Sequence, residues 1–217
     1  PRDTAVAPTQ GLDRTIKPGP QIAAVDRYAV GAGLLPARLE QPAVLYEEDP
    51  ADPNGKRYVG GVTWRTESIS SASGAPPEVV VKADLYVPGA KTAMAMTFRR
   101  NTDRALSASH VAELSFDMPP DSPYVEISEV RGLVMKAGET VHGAKLDAEA
   151  AKVTPGYFMV ALAAGAQQMQ RNLKLLKENS WLDVMIVYRN GSRAVLAIDK
   201  GPSGEQAFNE AFAAWGQ

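Results

Sequence analysis

The 217-residue chain carries 23 Lys and Arg against 25 Asp and Glu, a formal charge of −2, with 45% hydrophobic and 22% charged residues. That is globular composition, and without a basic excess to neutralise phosphates the chain does not read as a nucleic-acid binder. It has no cysteine and only two histidines, His110 and His142, which excludes disulfides and thiolate chemistry and leaves zinc short of ligands.

Residues 1–42 hold six of the sixteen prolines and show neither a period of 2 nor a period of 3.6. Such a segment buries too little apolar surface to offset its ordering entropy. It reads as a leader or linker, with a short helix expected at 22–30. The chain opens on Pro1 instead of Met, and the reading is that an upstream part has been removed. No stretch reaches the roughly 20 apolar residues of a membrane-spanning helix. Membrane contact is therefore expected only through that upstream part.

From Ala43 the text changes to short alternating runs. An apolar run at 43–47 comes first. Tyr58, Gly60, Val62 and Trp64 then alternate with Val59, Gly61, Thr63 and Arg65. Val79, Val81, Ala83, Leu85 and Val87 share one face, with Lys82 and Asp84 on the other. Met94, Met96 and Phe98 repeat the pattern, as do Ala112, Leu114, Phe116 and Met118. These are half-buried antiparallel strands. Further strands are expected at 130–136 and 157–163, with another near 142–147. The period then changes, because Met169, Leu173 and Leu176 fall at i, i+4 and i+7, which predicts an amphipathic helix over about 166–179. Strands at 181–189 and 192–200 follow, joined by Asn190-Gly191. That pair tolerates positive φ and predicts a two-residue type I′ hairpin. Ser203 and Gln206 have the spacing of a capping box. They open a last helix, about 204–215, whose stripe is Phe208, Phe212 and Trp215.

The fold class is mostly β: an antiparallel β-sandwich or flattened barrel with two helices, formed as one domain by residues 43–217.

No phosphate-binding loop, dinucleotide fingerprint, H-E-x-x-H, EF-hand or G-x-S-x-G occurs in the sequence. No catalytic residue, metal or cofactor is therefore assigned. The run Glu47-Glu48-Asp49 with Asp52 reads first as an exposed acidic turn and second as a calcium site. Gly201-Pro202-Ser203-Gly204 reads first as a self-capped helix start and second as an anion cradle. The densest polar segment is 99–113. If Phe98 and Ser109 lie on paired strands, Arg99, Arg100, Arg104 and His110 meet at one hairpin end. Guanidinium forks match carboxylate and phosphate geometry, so these four residues are the candidate anion-binding set. The competing reading has Asn101 and Asp103 making side-chain turns while Arg100 or Arg104 pairs with Asp103 or Glu113.

The segment NLKLLKENSWLDVMIVYRNGSRAVLAIDKGPSGEQAFNEAF gives helix, strand, Asn-Gly turn, strand and helix in that order. Over about 120–214 this element order resembles the C-terminal half of the invasion-associated locus B family. The resemblance implies an exported bacterial β-domain, periplasmic or anchored upstream of residue 1, with no catalytic residues to carry over. The expectation is a non-enzymatic, envelope-associated binding or structural domain, whose partner is another envelope protein or an anionic or glycan ligand. Two alternatives stand beside it. One is a carbohydrate- or anion-binding module, using an exposed Trp64 or Trp181 to stack on a sugar. The other is a hydrolase built around His110.

Overall fold

The computed structural model describes residues 40–70, 77–119 and 126–217. The helix expected at 22–30 and nearly all of the Pro-rich segment lie outside the described residues.

Eleven strands follow in chain order: β1 (Gln41–Asp49), β2 (Asp52–Ile69), β3 (Glu78–Val87), β4 (Thr92–Arg100), β5 (Ala108–Asp117), β6 (Ile127–Lys136), β7 (Ala144–Lys145), β8 (Ala148–Thr154), β9 (Tyr157–Ala163), β10 (Trp181–Tyr188) and β11 (Arg193–Asp199). Helix α1 (Ala166–Glu178) separates β9 from β10, and α2 (Gly201–Trp215) follows β11. All strands belong to one antiparallel sheet in the order β7-β6-β10-β11-β1-β2-β3-β4-β5-β9-β8. The architecture is therefore mostly β, a single curled sheet forming a flattened barrel with two helices. The period-2 alternation locates the strands but does not say whether they divide into two sheets. Here the 18-residue β2 carries the sheet through without a break. At Gly60 an added Cβ would stand 2.2 Å from the Tyr86 carbonyl oxygen of β3. Only glycine allows the tight curl there.

The curl brings the two ends of the sheet together. β8 packs against β6, yet no ladder joins them. Lys152 of β8 bridges the seam instead, pairing with Glu126 and donating to the Ile127 carbonyl at 3.3 Å. Nothing in the sequence marks strand β8. Its text, AEAAKVT, has low β-propensity, and six of its seven residues are exposed. It is held as the neighbour of β9. The strand expected near 142–147 shrinks to the two residues of β7.

The interior holds the alternating apolar faces read from the sequence. At one end the aromatic rings form a continuous cluster. Phe208 packs on Trp64 and Phe98 with centroids 5.7 and 5.6 Å apart, and Phe212 meets Trp215 at 5.6 Å. The Trp215 indole N–H donates to the Val79 carbonyl (2.8 Å), and that of Trp64 to Asp199 (2.8 Å). Thus Phe208, Phe212 and Trp215 bury α2 against β2 and β3. On α1 the buried residues are Asn172 and Leu176, while Met169 and Leu173 are half-buried. Asn172 accepts from the Asp147 backbone N–H (2.8 Å) and donates to the Asp147 carbonyl (2.9 Å), so a polar side chain stitches this helix to the start of β8.

Two local expectations are corrected. The β10–β11 turn is not type I′, because Gly191 has positive φ (86°) and Asn190 does not. Gly191 N–H donates to the Tyr188 carbonyl and Tyr188 N–H to the Ser192 carbonyl, both at 2.9 Å. This is the longer hairpin that places one left-handed glycine after the turn. The capping box is also absent. Helix α2 begins three residues earlier, at Gly201, the buried Ser203 hydroxyl has no hydrogen-bond partner, and Gln206 donates to Glu210. Asp199, one residue before the cap, instead turns the chain into the helix, its carboxylate accepting from Gly201 N–H at 2.9 Å.

Candidate functional site

The hairpin expected at 99–113 forms. In its register Arg99 faces Val111 and Arg100 faces His110. Its connecting loop is organised by Asn101, whose amide donates to the carbonyls of Asp103, Leu106 and Ala108 at 2.8–3.0 Å. Asp103 accepts from Ala105 N–H at 2.8 Å.

The four candidate residues are not used together. The Arg99 fork closes on Glu113 Oε1 with bonds of 2.9 and 2.8 Å. The Glu113 side chain is only 7% exposed. Tyr157 lies against the same carboxylate, and burial, reinforced by the Glu113 charge, pushes its hydroxyl up to about 12. Arg100 and Arg104 are exposed and form no ion pair among the described residues. His110 lies on the face opposite to Arg99 and points into the core. It is 1% exposed, with its ring 5.1 Å from Trp215 and 5.8 Å from Phe98. Burial takes its pKa down to about 4, against a weaker opposing hydrogen-bond interaction in which Gln217 favours the charged ring. A neutral, enclosed imidazole is a packing element in this setting, and it offers no face to a substrate.

Lys200, at the junction of β11 and α2, is likewise internal at 1% exposed. Its ammonium donates to the carbonyls of Leu176 (2.7 Å) and Asn179 (2.8 Å), at the C-terminal end of α1, and lies 5.0 Å from the Phe208 ring. Burial lowers its pKa to about 8. The favourable pole of the α1 dipole and the two orphan carbonyls are what hold a cation there. Lys200 thus ties the end of one helix to the start of the other.

The acidic run forms the β1–β2 hairpin, and its members go different ways. Glu47 is buried and accepts from the Tyr188 hydroxyl at 2.7 Å. Glu48 pairs with Arg193 at 2.6 Å. Asp49 accepts from Ala51 N–H and pairs with Lys56 at 3.2 Å, and Asp52 accepts from Asn54. Among the described residues no cluster of three or more metal-ligating groups occurs. Beside this hairpin lies an open depression of about 580 Å³. Tyr46, Met185, Val187 and Val195, all half-buried, line it, and Arg131 and Arg193 stand at its margin.

Sequence reasoning missed the polar network on the same outer face. Lys136 pairs with Asp183 at 2.8 Å with both side chains nearly buried. Glu139 accepts from the Tyr46 hydroxyl and from Arg57 at 2.9 Å. The available signal was Asp183, a lone carboxylate in the apolar strand WLDVMIVY. Trp64 is 4% exposed and Trp181 is half-buried, so neither presents a bare ring. Comparison of this chain with protein-family models, with curated proteins and with solved structures finds no match.

Proposed function

We propose that this domain is a non-enzymatic binding or structural module of the bacterial cell envelope, and that the depression beside the β1–β2 hairpin is its contact surface. One observation carries the reading. The groups a reaction would recruit are committed inside the fold, whereas the open concavity has apolar side chains beneath a charged margin. His110 and Lys200 are both buried, and Arg99 is neutralised by Glu113. A shallow apolar area within a polar rim suits a protein segment better than a small substrate, which needs enclosure. Export rests on the resemblance of the C-terminal element order to the locus B family. That order is α1, β10, β11, α2.

The anion-binding alternative now rests on Arg100 and Arg104. The hydrolase alternative would need His110 to reach solvent.

The test places a charge in the depression. Val187→Asp should abolish association of the purified domain with an envelope fraction and leave its melting temperature nearly unchanged. Val153→Asp, at an exposed site on β8, serves as the control. Undiminished association of the Val187 variant would refute the contact surface.

A further inference from the structure

We propose that residues 137–143, between β6 and β7, form a strap across the outer face of β10, β11 and β1. The strap is held shut at one residue, Glu139, and its release lengthens the depression into a groove. The proposal rests on the contact-surface reading for its purpose, but not for its geometry.

The path of the strap follows from its two ends. At its start, Lys136 on β6 pairs with Asp183 on β10 at 2.8 Å and donates to the Glu139 carbonyl. The Glu139 carboxylate then meets Tyr46 of β1 and Arg57 of β2. In the sheet order β6-β10-β11-β1-β2, the Glu139 contacts therefore span from the Lys136–Asp183 pair on β6 and β10 to β1 and β2. On the outer face between those ends runs a register row, Asp183 opposite Ala197 opposite Val44. Ala197 is 0% exposed and Val44 1% exposed, although both point away from the barrel interior.

The attachment is narrow. Among the described residues, no backbone–backbone hydrogen bond involves 137–143. Among the described residues, every side-chain hydrogen bond and ion pair of the segment runs through Glu139. Val141 is 48% exposed, and Gly138 and Gly143 bracket it. The Tyr46 hydroxyl and the Arg57 guanidinium hold the Glu139 carboxyl below the usual carboxylate range, so the latch is ionised and set at neutral pH. A loop with one charged anchor and no ladder opens by local unfolding at far lower cost than the sheet beneath it. Opening adds Val44 and Ala197 to the apolar lining of Tyr46, Met185 and Val195. The resulting stripe ends at the Asp183–Lys136 pair and fits an extended protein segment.

The cysteine-free chain permits a direct test. Ala197→Cys places a thiol under the strap, and Ala112→Cys places one in the interior, where Ala112 is 0% exposed. Each is combined with Glu139→Gln, and labelling by an aromatic disulfide reagent is followed in the native protein. The expected result is that Glu139→Gln speeds labelling at 197 by a few-fold to about thirtyfold, the range for losing partly exposed charge-assisted hydrogen bonds. Labelling at 112 should stay unchanged. Equal rates at 197 with and without the Glu139→Gln change would overturn the proposal, and so would equal acceleration at 112, which would mean general loosening. The readout is strap opening and not partner capture, so it passes or fails independently of the contact-surface test.

Discussion

Acid should destabilise this fold through one imidazole. His110 titrates near 6.5 when exposed and at about 4 in the folded chain, with burial as the main cause. Between these values the unfolded chain binds a proton that the native chain refuses. Stability therefore falls as pH drops from 6.5 towards 4, and this contribution is flat above 6.5. At about 1.4 kcal/mol per pH unit the loss reaches about 3 kcal/mol at pH 4, a large fraction of a domain's total stability of roughly 5–15 kcal/mol. His110→Phe keeps a ring between Phe98 and Trp215 and removes the titration. Guanidinium unfolding followed by tryptophan fluorescence at pH 7, 6, 5 and 4 measures both proteins. Carboxylates held by ion pairs, such as Glu139 and Glu126, are lowered in the fold. They add an acid loss common to both proteins, which cancels in the difference. The wild type should lose about 3 kcal/mol more than the variant across the series. Parallel curves would refute the reasoning, since a buried neutral imidazole must separate them.

Three further outcomes are expected. Trp215→Ala removes the ring that meets Phe98, His110 and Phe212 and the bond to the Val79 carbonyl; denaturant titration should show a loss of about 3–5 kcal/mol. Ser203→Ala should be neutral or slightly stabilising in the same assay, because the buried hydroxyl has no hydrogen-bond partner; a loss above about 1 kcal/mol would restore the capping role. With Arg99 held by Glu113, any sulfate-dependent rise in melting temperature should vanish in the Arg100→Ser, Arg104→Ser double variant and survive in Arg99→Ser, which should melt lower without sulfate.

Much of the fold could be read because strand alternation is a local property. The runs Val79 to Val87 and Ala112 to Phe116 became β3 and β5 with the expected faces inward. The Phe208–Phe212–Trp215 stripe buried α2 for the same reason, since helical spacing fixes a face whatever it packs against. Errors fell where a distant partner decides. Strand β8 is exposed and alanine-rich, and only β9 makes it a strand. Ser203 had the right spacing for a cap, but Asp199 sits nearer the true helix start and takes Gly201 N–H. The Asn-Gly turn was located correctly. Its type depended on Tyr188 pairing with Ser192 across a longer loop, which the dipeptide alone does not encode.

The polar residues explain why the site was harder to read than the fold. A charged side chain in sequence carries no mark of whether a partner will take it. Arg99 looked available, and Glu113, fourteen positions on, closes its fork. His110 looked like chemistry, and Trp215 and Phe98 enclose it. Tyr46 and Glu139 drew no notice, yet they meet across 93 positions. In each case burial and pairing reassign a group whose intrinsic chemistry is unchanged. Among the residues that remain open after this reassignment are half-buried apolar positions on the outside of the sheet, such as Val195 and Met185, beside the exposed Arg100 and Arg104. The contact surface proposed above accordingly lies where half-buried apolar side chains meet the outer polar network of Tyr46, Arg57 and Glu139, and not where charges are densest in the sequence.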